Sequence, residues 1–231
     1  MMKVPLRARK EKDKQQRRLM LLDAARELFM RHGYHGTTIE MITERAGVGT
    51  GTFYLYFSAK SELYKSFQDE GIDILTGMIT AAISDRSLRT SEKIIAAARA
   101  YVDFYHFHKE YFDFIALMVL EGQDELREQE SEIARIIDEK TLGILRLIEG
   151  IFIEGIEKGE CREMDPMAAG MVFWAMIDGM IVMKERDNLR VPGMDLDGMI
   201  QAGLSTLFAG VLTDPPRETT AHLDAGEWRE T

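Results

Sequence analysis

Gly47-Val48-Gly49-Thr50-Gly51-Thr52-Phe53-Tyr54-Leu55-Tyr56-Phe57-Ser58-Ala59-Lys60 is the stretch that most restricts how this chain can fold. Glycines alternate through its first half, and hydroxyl and aromatic residues fill the second. Such a run suits either a phosphate-cradling loop of a nucleotide enzyme or the turn and opening of a nucleic-acid-reading helix. The flanks separate the two. A dinucleotide or phosphate loop follows a buried strand and opens a long helix. Here Ile39, Ile42 and Ala46 recur at helical spacing before Gly47, and no Gly-Lys-Ser/Thr element follows. The pattern is that of a helix-turn-helix.

The neighbouring residues extend this reading. From Lys14, Leu21, Leu22, Ala25, Leu28 and Phe29 form one face of a helix that Gly33 ends in the C′ position. Thr37 begins a second helix, with Glu40 three residues on at capping-box spacing. Gly47 stops it, and a third, short helix has started by Thr50. Ser58 caps the next, with Glu62 in its first turn. Val48, Phe53 and Phe57 are expected inward. That leaves Thr50, Gly51, Thr52, Leu55 and Tyr56 toward a major groove, with Tyr54 at its edge. Hydroxyls can bond phosphates or base edges, and a glycine lets the backbone approach closely.

Charge is divided in the same way. The net charge of −10 is the sum of a basic start and an acidic remainder. Residues 1–60 hold twelve Lys and Arg against six Asp and Glu, whereas the rest holds seventeen against thirty-three. A basic head on an acidic body fits a polyanion-binding module joined to something else. Met1–Asp13, with Lys3, Arg7, Arg9, Lys10 and Lys12, reads as a flexible basic arm. The single cysteine, Cys161, excludes a disulfide framework and fits a reducing cytoplasm. The run Met167 to Met183 is broken by Asp178 and short for a bilayer span, so a soluble, cytoplasmic protein without a membrane partner is expected.

Residues from about Lys14 to Gly71 resemble the N-terminal domain of the tetracycline-repressor (TetR) family. The matching signature is Ala24-Ala25, Leu28-Phe29, His32-Gly33-Tyr34, Thr37-Thr38, Ile42, Ala46-Gly47-Val48, Gly51-Thr52-Phe53-Tyr54, Tyr56-Phe57, Lys60 and Leu63. The resemblance implies an all-α chain: a three-helix helix-turn-helix domain followed by a larger helical ligand-binding and dimerisation domain. The expected divisions are 1–13 arm, 14–71 DNA-binding domain, 72–212 body and 213–231 polar tail. It further implies that Thr38, Tyr54, Tyr56 and Lys60 clamp phosphates and that Thr50 to Thr52 reach bases. With Thr37, Val48, Gly49 and Leu55 these form the expected DNA-binding set. Gly49 and Thr50 stand where the family often has a longer polar or basic residue, so direct base readout here is thin.

The body reads as helices throughout, and no catalytic constellation emerges from it. His106, His108 and Glu110 do not converge at i, i+2 spacing on a helix, and Cys161 has no helix-positioned base. No metal, cofactor or enzyme activity is expected. Fifteen methionines and dense aromatics fit an ordinary core or an adaptable apolar pocket. The family resemblance implies a ligand cavity, with Tyr101, Phe104, Tyr105, His108, Phe112, Ile115, Met118, Leu145, Phe152, Met171, Trp174 and Ala175 as candidate liners. It also implies that the last two helices dimerise, through Trp174, Asp178, Gly179, Ile181, Val182, Ile200, Leu204, Leu207 and Phe208. The same residues would equally suit an intramolecular hairpin.

The runs Glu154 to Glu160 and Phe173 to Gly179 resemble family members that include fatty acyl-CoA sensors. Other hydrophobic effectors fit the composition equally, and the acidic body offers few partners for the phosphates of coenzyme A. The expected partners are therefore double-stranded operator DNA, a small hydrophobic effector and a second copy of the chain. The alternative is a helical ligand-binding or scaffold protein with a degenerate DNA head.

Overall fold

The computed structural model describes residues 6–120, 131–185 and 195–214. The described residues form helices α1 (Leu6–His32), α2 (Ile39–Arg45), α3 (Thr50–Phe53), α4 (Lys60–Ala82), α5 (Thr90–Phe107), α6 (Lys109–Leu120), α7 (Glu132–Glu157), α8 (Pro166–Glu185) and α9 (Leu196–Val211). The chain divides into two units, one of Met1–Gly71 with Asp113–Ile137 and one of Ile72–Phe112 with Asp138–Thr231. The first unit thus takes in residues 113–137, which a division by sequence order assigns to the body.

In the first unit, Leu21, Ala25, Leu28, Phe29, Ile42, Phe53, Phe57, Leu63 and Phe67 share one buried cluster. The left-handed conformation of Gly33 (φ +70°) turns the chain out of α1, and that of Gly47 (φ +67°) turns it out of α2. After Gly47, the Val48 amide donates to the Thr43 carbonyl at 2.9 Å, closing the turn. Two expectations shift here. The N-cap of α2 is Thr38, whose hydroxyl accepts from the Met41 amide at 3.2 Å, rather than Thr37. And α1 begins at Leu6, so residues 6–13 of the expected loose arm are helical. At the start of α4, the Glu62 carboxylate accepts from both the amide and the hydroxyl of Ser58, each at 2.6 Å.

In the second unit, α5 supplies the most deeply buried surface, including Ile94, Ala98, Val102 and Phe104. A clasp gathers the ends of three of its helices. The Thr90 amide, at the start of α5, donates to Glu160 Oε2 at 2.7 Å just after α7. The Thr213 hydroxyl, beyond α9, donates to the Gly159 carbonyl at 2.9 Å. Cys161 and Leu212 form an isolated antiparallel bridge, and no strand occurs among the described residues. The polar tail was expected from residue 213, but Thr213 is held by this clasp; residues 215–231 lie outside the described ones.

By length and composition α8, with 20 residues, could cross a membrane, so the expectation that this run is too short does not hold. Part of its apolar surface is otherwise occupied. Ala169, Gly170, Phe173, Ile177 and Ile181 are buried in the unit, and Asp178 accepts a hydrogen bond from Tyr101.

Candidate nucleic-acid interface and interior of the body

Phe53 and Phe57 are almost fully buried and Val48 packs beside them, which fixes the inner side of α3. The opposite side is open. Gly49, Thr50 and Gly51 are exposed, Tyr54 is 57% exposed and Leu55 73%, while Thr52 and Tyr56 are half-buried. A 73% exposed leucine beside an exposed tyrosine is poorly used in an isolated head and well used against a groove edge. A Cβ added at Gly49 or Gly51 would meet nothing within 4 Å. The fold itself therefore does not require glycine at either position, and the space in front of them is left for an approaching partner.

Two members of the expected DNA-binding set are placed differently. Thr37 is fully buried and its hydroxyl donates to the Gly33 carbonyl at 2.9 Å, so it holds the α1–α2 turn and faces no partner. Lys60 is half-buried. Its ammonium donates to the carbonyls of Tyr34 (2.7 Å) and Thr37 (2.8 Å) and lies 4.1 Å from the Tyr34 ring centroid. Its contacts tie α4 to the α1–α2 turn, a strut where a phosphate clamp was expected. One contact was not anticipated from the sequence: the Arg18 guanidinium lies over the Phe57 ring, 5.3 Å from its centroid. An arginine in the charged run ahead of the apolar face of α1 gives no sequence signal for this.

In the second unit several expected pocket residues do meet. The Tyr101 ring lies 5.0 Å from Trp174 and 6.2 Å from Phe112, and Tyr105 lies 5.1 Å from Phe112. Phe104 stacks on His108 at 5.8 Å, and Phe152 is fully buried. Tyr101 donates to Asp178 Oδ1 at 2.7 Å; burial first, then the charge of Asp178, pushes its phenol well above the ordinary tyrosine pKa. Tyr105 donates to Glu185, which also pairs with Lys109 at 3.3 Å. Burial opposes the charge of Glu185, but Tyr105 and Lys109 together hold its carboxyl below the usual range.

Other expected liners lie elsewhere. Leu145 is half-buried, whereas Met171 (55% exposed) and Ala175 face outward. Ile115 is half-buried and belongs to the first unit; the side chain of Met118 lies outside the described residues.

The expected dimer residues are largely turned into the chain's own unit. Ile181, Ile200, Leu204 and Phe208 are buried within the chain's own second unit, Leu207 is buried at the edge of an open groove, and Trp174, Asp178, Gly179 and Val182 are half-buried. The open apolar surface is the neighbouring strip. A groove of about 670 Å³ runs between α8 and α9, lined by residues that include Val172, Met176, Met180, Met199, Ala202 and Thr206. Its floor is Gly203, where any Cβ would collide with the Met180 methyl group and come within 2.9 Å of Met176 Sδ. A helix that is apolar all round gives no polar face from which to set its phase, and α8 is such a helix.

A short exposed helix carried by a glycine turn on a three-helix head, joined to a helical second unit, defines a helix-turn-helix DNA-binding regulator. Residues 21–67 match the model of the bacterial regulatory proteins of the tetR family. The fatty acid metabolism regulator protein of Bacillus subtilis is 28% identical over 204 residues, 87% of this chain and 98% of that protein. Among solved structures, FadR from Bacillus subtilis in complex with stearoyl-CoA superposes with a TM-score of 0.64 at 26% identity, over 83% of this chain and 98% of that one. AibR in complex with isovaleryl coenzyme A and operator DNA shares the fold, with a TM-score of 0.63 at 17% identity over 84% and 99%. Residues 21–67 thus carry a DNA-binding domain of the tetR type, and the relatives matched over most of the chain are transcription regulators.

Proposed function

We propose that this chain is a cytoplasmic, homodimeric repressor that leaves its operator when a fatty acyl-CoA occupies the body. The reading surface carries the DNA half of the proposal: Thr50, Gly51, Tyr54 and Leu55 face outward from a helix fixed behind by Phe53 and Phe57. Thr38, Gly49, Thr52 and Tyr56 flank that surface and would position it on phosphates. Likeness to a regulator bound to stearoyl-CoA, at 26% identity over most of both chains, supports the effector half. The aromatic group of Tyr101, Tyr105, Phe112 and Trp174 is the surface on which an acyl chain would act.

The physical logic is a population shift. Two half-sites on one face of a duplex hold the reading helices about 34–36 Å apart, or a multiple of that. An effector that binds better to a conformation with another spacing must weaken DNA binding by the same coupling energy, because linkage is reciprocal. Helix α4 begins at Lys60 in the head and continues to Ala82, so it is the lever available to this chain.

The test is a gel-shift titration on the DNA upstream of the chain's own coding sequence, with a salt series and graded acyl-CoAs, free fatty acids and cationic dyes as competitors. Release by acyl-CoA, with a matching rise in thermal midpoint, is the expected result. Release only by the other compounds replaces the effector. No binding even at low salt overturns the regulator reading and leaves a ligand-binding scaffold.

A further inference from the structure

The matched family model begins at residue 21, but α1 begins fifteen residues earlier, at Leu6. At about 1.5 Å per residue that is roughly 22 Å of additional helix. From Lys12 to Arg17 every side chain is exposed, and Leu21 is the first buried residue of α1 among the described side chains. The extension is cationic: Arg7, Arg9, Lys10, Lys12, Lys14, Arg17 and Arg18 stand against Glu11 and Asp13, and its first turn has no acidic residue.

Its charges are also arranged. At about 100° per residue, positions 7, 10, 14, 17 and 18 fall within one arc of the helix, and no acidic position does. That arc continues directly through Leu21, Ala25 and Leu28, which pack into the core of the head. The side of α1 that is apolar over the head is therefore cationic beyond it. Arg18 marks the change, lying over Phe57, one residue after Tyr56 of the reading segment. Like charges three and four residues apart oppose one another and weaken a free helix by a few tenths of a kcal/mol per pair. Helical continuity with the docked part of α1 offsets that cost, and a polyanion beside the arc would remove it.

We propose that this extension is a second, sequence-independent DNA contact, in which the cationic arc of α1 lies along duplex phosphates flanking the half-site read by α3. The proposal rests on the DNA-binding reading above. Charge complementarity names the occupant, and continuity with the reading segment through Arg18 and Phe57 places it. Arg18 stays untouched in the test because it packs on the head.

The experiment compares the full chain with a quadruple variant, Arg7→Gln, Lys10→Gln, Lys14→Gln and Arg17→Gln. A charge-preserving counterpart (Arg7→Lys, Lys10→Arg, Lys14→Arg, Arg17→Lys) serves as the folding control. Binding is measured by fluorescence anisotropy from 50 to 300 mM salt on a duplex selected with the wild-type protein, and on the same duplex extended by about one helical turn at each end. Each phosphate contact contributes roughly 0.9 to the slope of log K against log salt. The Gln variant should lose about two to four from that slope and about 10- to 100-fold in affinity. The flanks should tighten the wild type and the charge-preserving variant and leave the Gln variant unchanged. Wild-type slope and affinity in the Gln variant would overturn the proposal while leaving the DNA reading intact. A wild type that binds no duplex overturns both. Loss of binding to phosphatidylserine vesicles, with DNA binding unchanged, assigns the arc to a membrane surface and overturns it as well.

Discussion

The Tyr101 hydroxyl on α5 donates a 2.7 Å hydrogen bond to Asp178 Oδ1 on α8, and this bond places a carboxylate inside an otherwise apolar helix. Removing the donor strands the acceptor. Tyr101→Phe should cost about 1–3 kcal/mol, the penalty for leaving a charged, half-buried group without its partner. Tyr101→Phe with Asp178→Leu should recover part of that loss. The phenol also sets an alkaline limit. Its folded pKa is raised, so its contribution is complete below the unfolded value of about 10 and is lost as pH rises through the folded one. Denaturant midpoints followed from pH 8 to 11 should fall in the wild type and stay flatter in Tyr101→Phe.

Lys60 separates stability from DNA affinity. Its ammonium is bonded to the carbonyls of Tyr34 and Thr37, so Lys60→Ala should destabilise the head by about 1–3 kcal/mol. At a temperature where both proteins are folded, the salt slope of DNA binding should stay near the wild-type value. A clamp on phosphate predicts the reverse, with an unchanged thermal midpoint and a slope reduced by roughly one. Calorimetry and a salt titration on the same two proteins decide between them.

The head was legible because its information is local. Gly33 and Gly47 adopt the positive φ that their positions after apolar-periodic segments call for, and Phe53 and Phe57 take the inward side that α3 leaves them. What was not legible depends on distant partners. Nothing near Thr37 shows that its hydroxyl meets Gly33, and nothing near Lys60 shows a carbonyl more than twenty residues away. The phase of α8 was hidden for a different reason. With apolar residues on every side, its pattern suits several orientations, and only the packing of Ile177 and Ile181 against the unit selects one.

Gly155 makes the acyl-CoA-sensor-like run a packing feature before anything else. A Cβ there would lie 2.7 Å from both Cys161 Sγ and Thr90 Cγ2, inside the clasp that joins α5, α7 and the end of α9. Gly155→Ala should therefore destabilise the second unit by about 1–3 kcal/mol, despite the higher helix propensity of alanine. Gly77→Ala, at a helix position with nothing within 4 Å, is the control and should be neutral or stabilising. Thermal midpoints of the two variants, measured without effector, provide the comparison.

The α8–α9 groove gives a prediction that decides which strip of α8 and α9 can serve as a dimer face. Val172 is 57% exposed and Ala202 is exposed, both beside the Met176–Met180 strip, whereas Leu204 and Phe208 are buried in the chain's own unit. If a second copy covers this groove, Val172→Glu and Ala202→Glu each place a carboxylate against apolar surface at the contact. Each should halve the mass seen by sedimentation at micromolar concentration while secondary structure is retained. Leu204→Ala should behave differently. It leaves a cavity under the groove, costs about 2–5 kcal/mol, and lowers the thermal midpoint in whatever assembly remains. Were the register the one expected from sequence, Leu204→Ala would split the dimer and Val172→Glu would leave it whole. The two outcomes are mutually exclusive, so one sedimentation series on three variants settles which strip of α8 and α9 meets the partner.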